Sequence, residues 1–274
     1  MKRIFTILIA AFLIIGCSDR PFVIVQIADA QLGFTAAEKA QREGNVYDGD
    51  LSYEISCLEK AVSFVNEMKP DAVVFTGDQV NYSDDEVQWN CFDSLVSKID
   101  ESVRVLHIPG NHDVVIGKAG VDSSPFTSRY GDDRFLHKDR NVILVGINTN
   151  LIKYDDSLEV CQQEWLEEAL VKKSDDDVVI VFGHHPFFMS DIEEEDGYFQ
   201  IQKSKRRDYF NLFIENGVDA VFAGHRHNNS EGVYEDIPMK TTTSVAFQIG
   251  KAKPSIRIIT VRDGRVYDEL KELF

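Results

Sequence analysis

Basic residues are scarce in this 274-residue chain: 29 Lys and Arg stand against 46 Asp and Glu, a formal net charge of −17. A chain so acidic repels polyanions, which excludes sequence-independent binding to nucleic-acid phosphates and leaves nucleic acid out of the expected partners. Cysteine is scarce too, with 4 residues and no CxxC pair. Cys57, Cys91 and Cys161, far apart in helix-like stretches, read as core residues that leave room for one disulfide and an odd thiol. Long apolar runs, internal repeats and low-complexity linkers are missing, and no domain boundary is evident after residue 21. With 43% hydrophobic and 27% charged residues, the chain suits one α/β domain with a substantial core.

The apolar run that does exist is terminal and short. Met1-Lys2-Arg3 is a positive start, Ile4 to Ile15 is nearly unbroken in its apolarity, and Gly16-Cys17 follows. That is signal-peptide architecture, too short to cross a bilayer comfortably. Ile14-Ile15-Gly16-Cys17 resembles a bacterial lipobox, which implies cleavage before Cys17, lipidation there, and tethering to an extracytoplasmic membrane face, periplasmic or external. Loss of Lys2 and Arg3 with the signal takes the charge from −17 to −19. The expected organisation is a signal at 1–16, a tether at 17–21 and a folded domain at 22–274.

Along that domain, short apolar runs alternate with helix-spaced ones. Strands are expected at Phe22–Ala28, Ala72–Thr76, Val103–Ile108, Asn141–Ile147 and Val178–Phe182, with another closing on Val221-Phe222-Ala223. Helices are expected at Leu51–Met68, 86–99, Gln162–Lys173 and around Tyr209–Ile214; residues 34–49 and 114–134 read as loops. Beyond Asn229, segments 233–237, 239–247, 255–261 and 264–270 suggest antiparallel strands completing a second sheet.

Five of the apolar runs empty into polar clusters: Asp29 with Gln31, Asp78, Asn111-His112-Asp113, His184-His185, and His225 with His227. The strand at 141–147 carries no such constellation. Ligands in α/β proteins bind where parallel strands end, and five of the 7 histidines lie in these clusters. Carboxylates, imidazoles and amides gathered at one sheet edge are the donor set of a metal site.

The ordered stretches DAQ, GDQVN, GNHD, GHHP and GHRH, spread over roughly Val23 to Asn229, resemble the calcineurin-like metallophosphoesterase superfamily. That family's pattern is D-x-H, GD-x-x-[D/N], GNH-[D/E], a single H and GH-x-H. The likeness extends to the calcineurin-like phosphoesterase-domain subgroup described as complete-S-transactivated-protein phosphatases. These share the glutamine of the first stretch, a GDD after GNHD, an acidic segment with aromatics after the fourth stretch, and an asparagine after GH-x-H. The resemblance implies a four-layer α/β sandwich of two mixed sheets flanked by helices; periodicity alone gives only alternating α and β.

It also implies a binuclear centre of two divalent ions (manganese, iron, magnesium or zinc) that hydrolyses a phosphate ester. Asp78 would bridge them, with Asp29, Gln31 and His227 on one ion and Asn111, His184 and His225 on the other. His112 would stabilise the transition state or protonate the leaving alkoxide, with Asp113 holding its ring. Gln31 departs from the family's histidine: an amide oxygen is harder and weaker toward zinc, so that ion should bind more loosely or be manganese, magnesium or iron(II), unless water fills the place. Asn81 reads as a turn residue bracing Asp78, His185 as a phosphate donor or a structural residue, and Arg226 as a substrate contact or a solvent-facing one. The acidic loop 191–196 reads as solvated surface that also suits the border of a cleft, and His107 and His137 as structural.

The activity this favours is phosphomonoester hydrolysis, with phosphoserine or phosphothreonine proteins as one substrate class, by a lipid-anchored enzyme expected to be a monomer. Two other readings stand beside it. One is a phosphodiesterase, for cyclic nucleotides or other diesters. The other is a non-catalytic metal-binding surface lipoprotein.

Overall fold

The computed structural model describes residues 20–171, 174 and 176–274. The signal at 1–16, the lipidation site Cys17, most of the tether and the far end of the helix expected to reach Lys173 lie outside the described residues. In chain order, β1 (Phe22–Ile27) leads to helices α1 (Phe34–Glu43) and α2 (Ser52–Met68), then β2 (Ala72–Thr76), α3 (Glu86–Val96) and β3 (Arg104–Ile108). Next come the small hairpin β4 (Val115–Gly117) and β5 (Gly120–Asp122), α4 (Ser124–Tyr130), β6 (Phe135–Asp139), β7 (Val142–Gly146), α5 (Thr149–Tyr154) and α6 (Asp156–Val171). The rest is β8 (Val178–Phe182), α7 (Lys203–Glu215), β9 (Val218–Ala223), β10 (Ser230–Tyr234), β11 (Ile237–Thr241), β12 (Ser255–Arg262) and β13 (Arg265–Glu272).

The larger strands form two mixed sheets. One runs β13-β12-β1-β2-β3, parallel from β1 to β3 and antiparallel through β12 and β13. The other runs β10-β11-β9-β8-β7-β6, with parallel pairing from β11 to β7 and antiparallel edges. Alternation along each strand sends every second residue to one face. Phe22, Ile24, Val74 and Ile108 of the first sheet meet Leu144, Ile180 and Phe222 of the second in a shared inner layer. Val25, Ile27 and Val73 face the opposite way onto Leu58, Val62 and Val65 of α2, and Val145, Val179 and Val221 pack on Leu166 of α6 and Phe210 of α7. Helix, sheet, sheet, helix is the four-layer sandwich expected.

Several expectations need correction. Residues 34–43 form a helix, capped at its end by Gly44 at φ 68°; only Ala40 is buried, so no apolar stripe announces it. The segment 114–134, read as loop, holds the β4–β5 hairpin and α4. The C-terminal strands do not all complete a second sheet: β10 and β11 do, but β12 and β13 extend the first one beside β1. The strand expected over 239–247 stops at Thr241, and Thr242, Thr243 and Ser244 pass buried beneath the loops that follow β1 and β9. The three described cysteines are all free thiols, and Cys161 is exposed rather than core.

Candidate metal centre

All five polar clusters lie on loops leaving the carboxyl ends of β1, β2, β3, β8 and β9. The backbone there is forced. Asp29, Gln31, Asp78, His225 and His227 make up five of the nine non-glycine residues with positive φ among the described residues, at 51°, 41°, 51°, 63° and 50°. A left-handed residue with a Cβ costs roughly 1–2 kcal/mol, so a dense local network must hold these loops. Gln31 N–H donates to the Asp78 carbonyl at 2.7 Å and Asp29 N–H to Gly77 at 3.2 Å. From below, Ser244 Oγ donates to the Asp29 carbonyl at 2.7 Å and Thr243 Oγ1 to the His227 carbonyl at 3.1 Å. Between β2 and β3 the chains approach closely: a Cβ on Gly77 (φ 89°) would meet His184 Nδ1 at 2.5 Å and Gly110 N at 2.6 Å.

The side chains turn inward. Asp29 accepts the His225 N–H on both oxygens at 3.0 Å, and its Oδ1 lies 3.5 Å from His227 Nε2. Asp78 Oδ1 accepts the His112 N–H at 2.8 Å and its Oδ2 lies 3.3 Å from His184 Nε2. That same His184 nitrogen is 3.1 Å from Asn111 Oδ1 and 3.1 Å from His225 Nδ1. Donor-type atoms of Asp29, Asp78 and His227 lie within 4.8 Å of one another, as do those of His184, His185 and His225.

Hydrogen bonds decide what each imidazole can do, because a ring nitrogen facing a carbonyl must carry the proton. His184 Nδ1–H donates to the Thr76 carbonyl at 2.9 Å and His227 Nδ1–H to the Phe247 carbonyl at 2.7 Å. Each thereby presents an Nε2 lone pair to the centre, as a ligand must. His185 is the reverse. Thr149 Oγ1 accepts the N–H groups of His184 at 3.2 Å and His185 at 2.8 Å, so its own hydrogen is the one left for His185 Nδ1 at 3.2 Å. The proton of His185 then sits on Nε2, which is buried and has no hydrogen-bond partner. Such a nitrogen is a donor and not a ligand.

The charges are strongly coupled. Burial alone would raise the Asp78 carboxyl, but His184, His112 and His225 pull it well below the usual carboxylate range. Burial disfavours imidazolium at His184, yet the Asp78 and Asp29 carboxylates lift it to about 9, and Asp29 raises His227 in the same way against its burial. Burial and then the His184 charge push His225 well below its ordinary value. A pocket that draws protons onto His184 and His227 without a cation suits a cation that replaces those protons.

Gln31 fits such a group. Its amide nitrogen lies 3.4 Å from Asn81 Oδ1, while its Oε1 is buried with no partner, an orphan whose burial costs free energy until something electropositive meets it.

Two expected roles are reassigned. Asp113 does not hold the His112 ring: its oxygens accept the N–H groups of Gln79 at 2.8 Å, Val80 at 3.2 Å and Gly110 at 2.7 Å. The carboxylate is thus spent on clamping the turns after β2 and β3. Burial and then Asp78 push its carboxyl well up, against the N–H groups of Gly110 and Val80, which favour its charged form. The ring is oriented instead by the Asn81 carbonyl, 2.8 Å from His112 Nδ1, so Asn81 braces His112 and Gln31 rather than Asp78.

Arg226 is half-buried, with its guanidinium 5.6 Å from the Phe199 ring. His107 is half-buried on β3 with its Nδ1 out of solvent, stacked on Phe75 and Tyr130. His137 is partly exposed on β6. The acidic loop 191–196 is braced rather than merely solvated: the buried Arg206 donates to the Ile192 carbonyl at 3.1 Å and the Glu194 carbonyl at 2.6 Å.

The sequence reading missed one contributor. The strand at 141–147 does end in a polar constellation, Asn148-Thr149-Asn150, fully buried, and Thr149 sets the His184–His185 turn. Three consecutive polar residues after an apolar strand were the signal.

Residues 22–229 match the family model described as calcineurin-like phosphoesterase. The chain belongs to that family. A rat serine/threonine-protein phosphatase CPPED1 is 29% identical over 270 residues, covering 92% of this chain and 85% of the relative. Among solved structures, a yellow lupin purple acid phosphatase superposes with a TM-score of 0.68 at 15% identity, covering 92% of this chain and 52% of that one. A dimetal phosphatase from Danio rerio gives 0.59 at 14% identity, covering 92% and 99%. At those identities the structures speak to the fold, which they share. As a calcineurin-like phosphoesterase the chain is a hydrolase of phosphate esters, and its buried His and Asp groups suit divalent metal ions.

Proposed function

We propose that this calcineurin-like phosphoesterase is a phosphomonoesterase with a binuclear centre, held outside the cytoplasm by lipid on Cys17. Asp29, Gln31 and His227 would hold one ion, Asn111, His184 and His225 the other, and Asp78 both. The observation that carries this is the approach of four donor atoms: His184 Nε2 lies within 3.3 Å of Asp78, Asn111 and His225 while its other nitrogen is tied to Thr76. When bound, two such ions bring the pKa of a water toward neutrality and offset the phosphoryl charge.

The remaining chemistry falls to the chain itself. His112, half-exposed beside Asp78, donates Nδ1–H to the Asn81 carbonyl, so as an imidazolium it would carry a second proton on Nε2 for the departing alkoxide. His185 Nε2–H, buried without a partner, would donate to a phosphoryl oxygen. Phosphomonoesters rank first because the CPPED1 relatives are named serine/threonine-protein phosphatases and a further relative from Arabidopsis thaliana is a purple acid phosphatase. Phosphoserine and phosphothreonine proteins are therefore among the candidate substrates.

The anchor is supported by the basic start, the apolar run and Gly16-Cys17. A tether entering at Arg20 would leave the centre facing away from the membrane, since β1 begins beside Arg20 and the centre lies past its far end. Hydrolysis of p-nitrophenyl phosphate and of its bis ester, with added manganese, tests the activity. Cleavage of the monoester is expected; cleavage of the bis ester alone makes this a diesterase, and cleavage of neither under any divalent metal leaves a binding protein. For the anchor, Cys17→Ser should move the protein from the membrane to the soluble fraction, and an unchanged distribution would sink that part.

A further inference from the structure

Aromatic rings border the histidines of the centre on two sides. On one side Tyr198 and Phe199 lie 5.2 and 5.6 Å from the His225 ring. On the other, Phe34 is 5.7 Å from His227 and 6.4 Å from His112, and Phe247 packs on Phe34 at 4.7 Å. The basic side chains beside Tyr198 and Phe199 are Arg226, lying over Phe199, and Lys153, whose ammonium is committed to the Gln200 carbonyl.

Tyr198 is 63% exposed, yet the backbone around it is pinned on both sides. Gln200 Nε2 donates to the Glu195 carbonyl at 2.8 Å, Ile201 N–H to Pro186 at 2.9 Å, and Lys203 N–H to Asp196 at 2.6 Å. Glu193 pairs with Lys203 and Arg207, so the acidic segment is a strut that holds this stretch against α7. A large ring held in water beside a catalytic imidazole by a braced loop has paid its ordering cost in advance, which is how aromatic anchors bind flat partners.

We propose that Tyr198, with the Phe199 ring standing at 81° to it, forms an aromatic wall with a corner for an aromatic ring carried on the leaving group of the phosphate ester. The proposal deepens the phosphomonoesterase reading and shares its site. Substrates of this chemistry include a phosphotyrosine side chain and a nucleoside monophosphate. An aliphatic ester would leave the wall unused.

The test separates binding from turnover. On the full-length chain loaded with manganese, calorimetry compares 2-phenylethylphosphonate with ethylphosphonate, two non-hydrolysable probes that differ in the ring alone. The phenyl probe should bind about tenfold tighter, the value of one good ring contact. Tyr198→Ala should bring the ratio toward one, and Tyr198→Phe should keep it, with metal content unchanged in both. Equal binding of the two probes overturns the wall, as does a preference that survives Tyr198→Ala and Phe199→Ala alike.

Hydrolysis of p-nitrophenyl phosphate, read on the same preparation, distinguishes the failures. Turnover without ring preference removes the wall alone; ring preference without turnover removes the phosphatase reading and keeps the wall. The ratio of kcat/KM for a phosphotyrosine peptide to that for adenosine 5′-monophosphate then tells which source of the ring fits.

Discussion

The two halves of the proposed centre are built from different atoms and held in different ways. Around Asp29, Gln31 and His227 the donors are a carboxylate, an amide oxygen and one imidazole, and all three residues are left-handed in their backbone. Around Asn111, His184 and His225 two imidazoles dominate, and only His225 is left-handed; His184 is fixed by side-chain and backbone hydrogen bonds to Thr76 and Thr149. An oxygen-rich half favours manganese, magnesium or iron(II), whereas an imidazole-rich half accepts zinc and iron well. The difference teaches which ion should be exchangeable: the first half should exchange, and the second should retain its ion through purification.

The most severe way to break that distinction is Asp78→Asn, because Asp78 is the side chain proposed to hold both ions. An amide there has one acceptor oxygen and no charge. We expect loss of both ions and a fall in kcat of about a thousandfold or more, read by metal analysis and by turnover of p-nitrophenyl phosphate. Full loading with activity within tenfold of the native enzyme would show that Asp78 is not shared.

Removing a group that belongs to neither half should leave both intact. His112→Ala is expected to lower kcat about 10²- to 10³-fold, the usual worth of a positioned acid, with the metal content of each half unchanged. Loss of metal would instead make His112 part of the scaffold, through its N–H bond to Asp78.

A smaller effect tests the contrast between neighbours within the second half. His184 and His185 are adjacent, yet a carbonyl beside one and a hydroxyl beside the other give them opposite tautomers. His185→Phe should raise KM and the inhibition constant of phosphate about tenfold, the worth of one hydrogen bond to a charged group. His185→Gln, whose amide N–H₂ can stand in for Nε2–H, should restore most of that. Equal behaviour of the two variants would return His185 to a packing role.

These contrasts were unequally legible in the chain. Motif stretches such as Gly-Asn-His-Asp and Gly-His-Arg-His stand out because buried parallel strands are continuous apolar runs, so a polar cluster at their end is conspicuous. The break between the expected segments 255–261 and 264–270 is the turn of the β12–β13 hairpin, which Asp263 and Gly264 form with φ of 52° and 70°. What stayed hidden was pairing at long range. Nothing local says that β12 lies beside β1, which its register Ile24↔Ile259 requires. Nor could spacing reveal that Asp113 would be spent on three backbone N–H groups of two loops, leaving the His112 ring to a carbonyl. Thr149 was missed because its importance lies in where its one hydrogen goes.

Gln31→His would sharpen the comparison of the halves by making the first resemble the second. With Oε1 buried and unpaired, a nitrogen donor in its place should raise the affinity of the first half for zinc about tenfold and shift the metal that gives best activity away from manganese. The second ion should be unaffected. Unchanged affinity and stoichiometry would mean that Gln31 does not ligate and that water fills its place.

The gentlest test sets the site histidines against one that has no metal to meet. His107 on β3 is stacked on Phe75 at 5.0 Å and on Tyr130 at 4.4 Å, and burial pushes its pKa down to about 3. Its neutral form is therefore the one that folds. Above an unfolded value near 6.5 its contribution to stability is complete; as pH falls from there toward 3, the unfolded chain binds a proton that the folded chain refuses. At pH 5 that costs about 2 kcal/mol. His184, whose pKa is raised to about 9, acts oppositely in the metal-free protein, losing its stabilising proton as pH rises from 6.5 through 9. His107→Phe keeps the stack and removes the titration, so chemical denaturation at pH 5 should show a gain of about 2 kcal/mol over the native chain, with little change at pH 7.5 and unaltered turnover. An equal change at both pH values would assign the effect to packing, and a loss of activity would mean that this histidine and the centre are not the separate regions their surroundings make them.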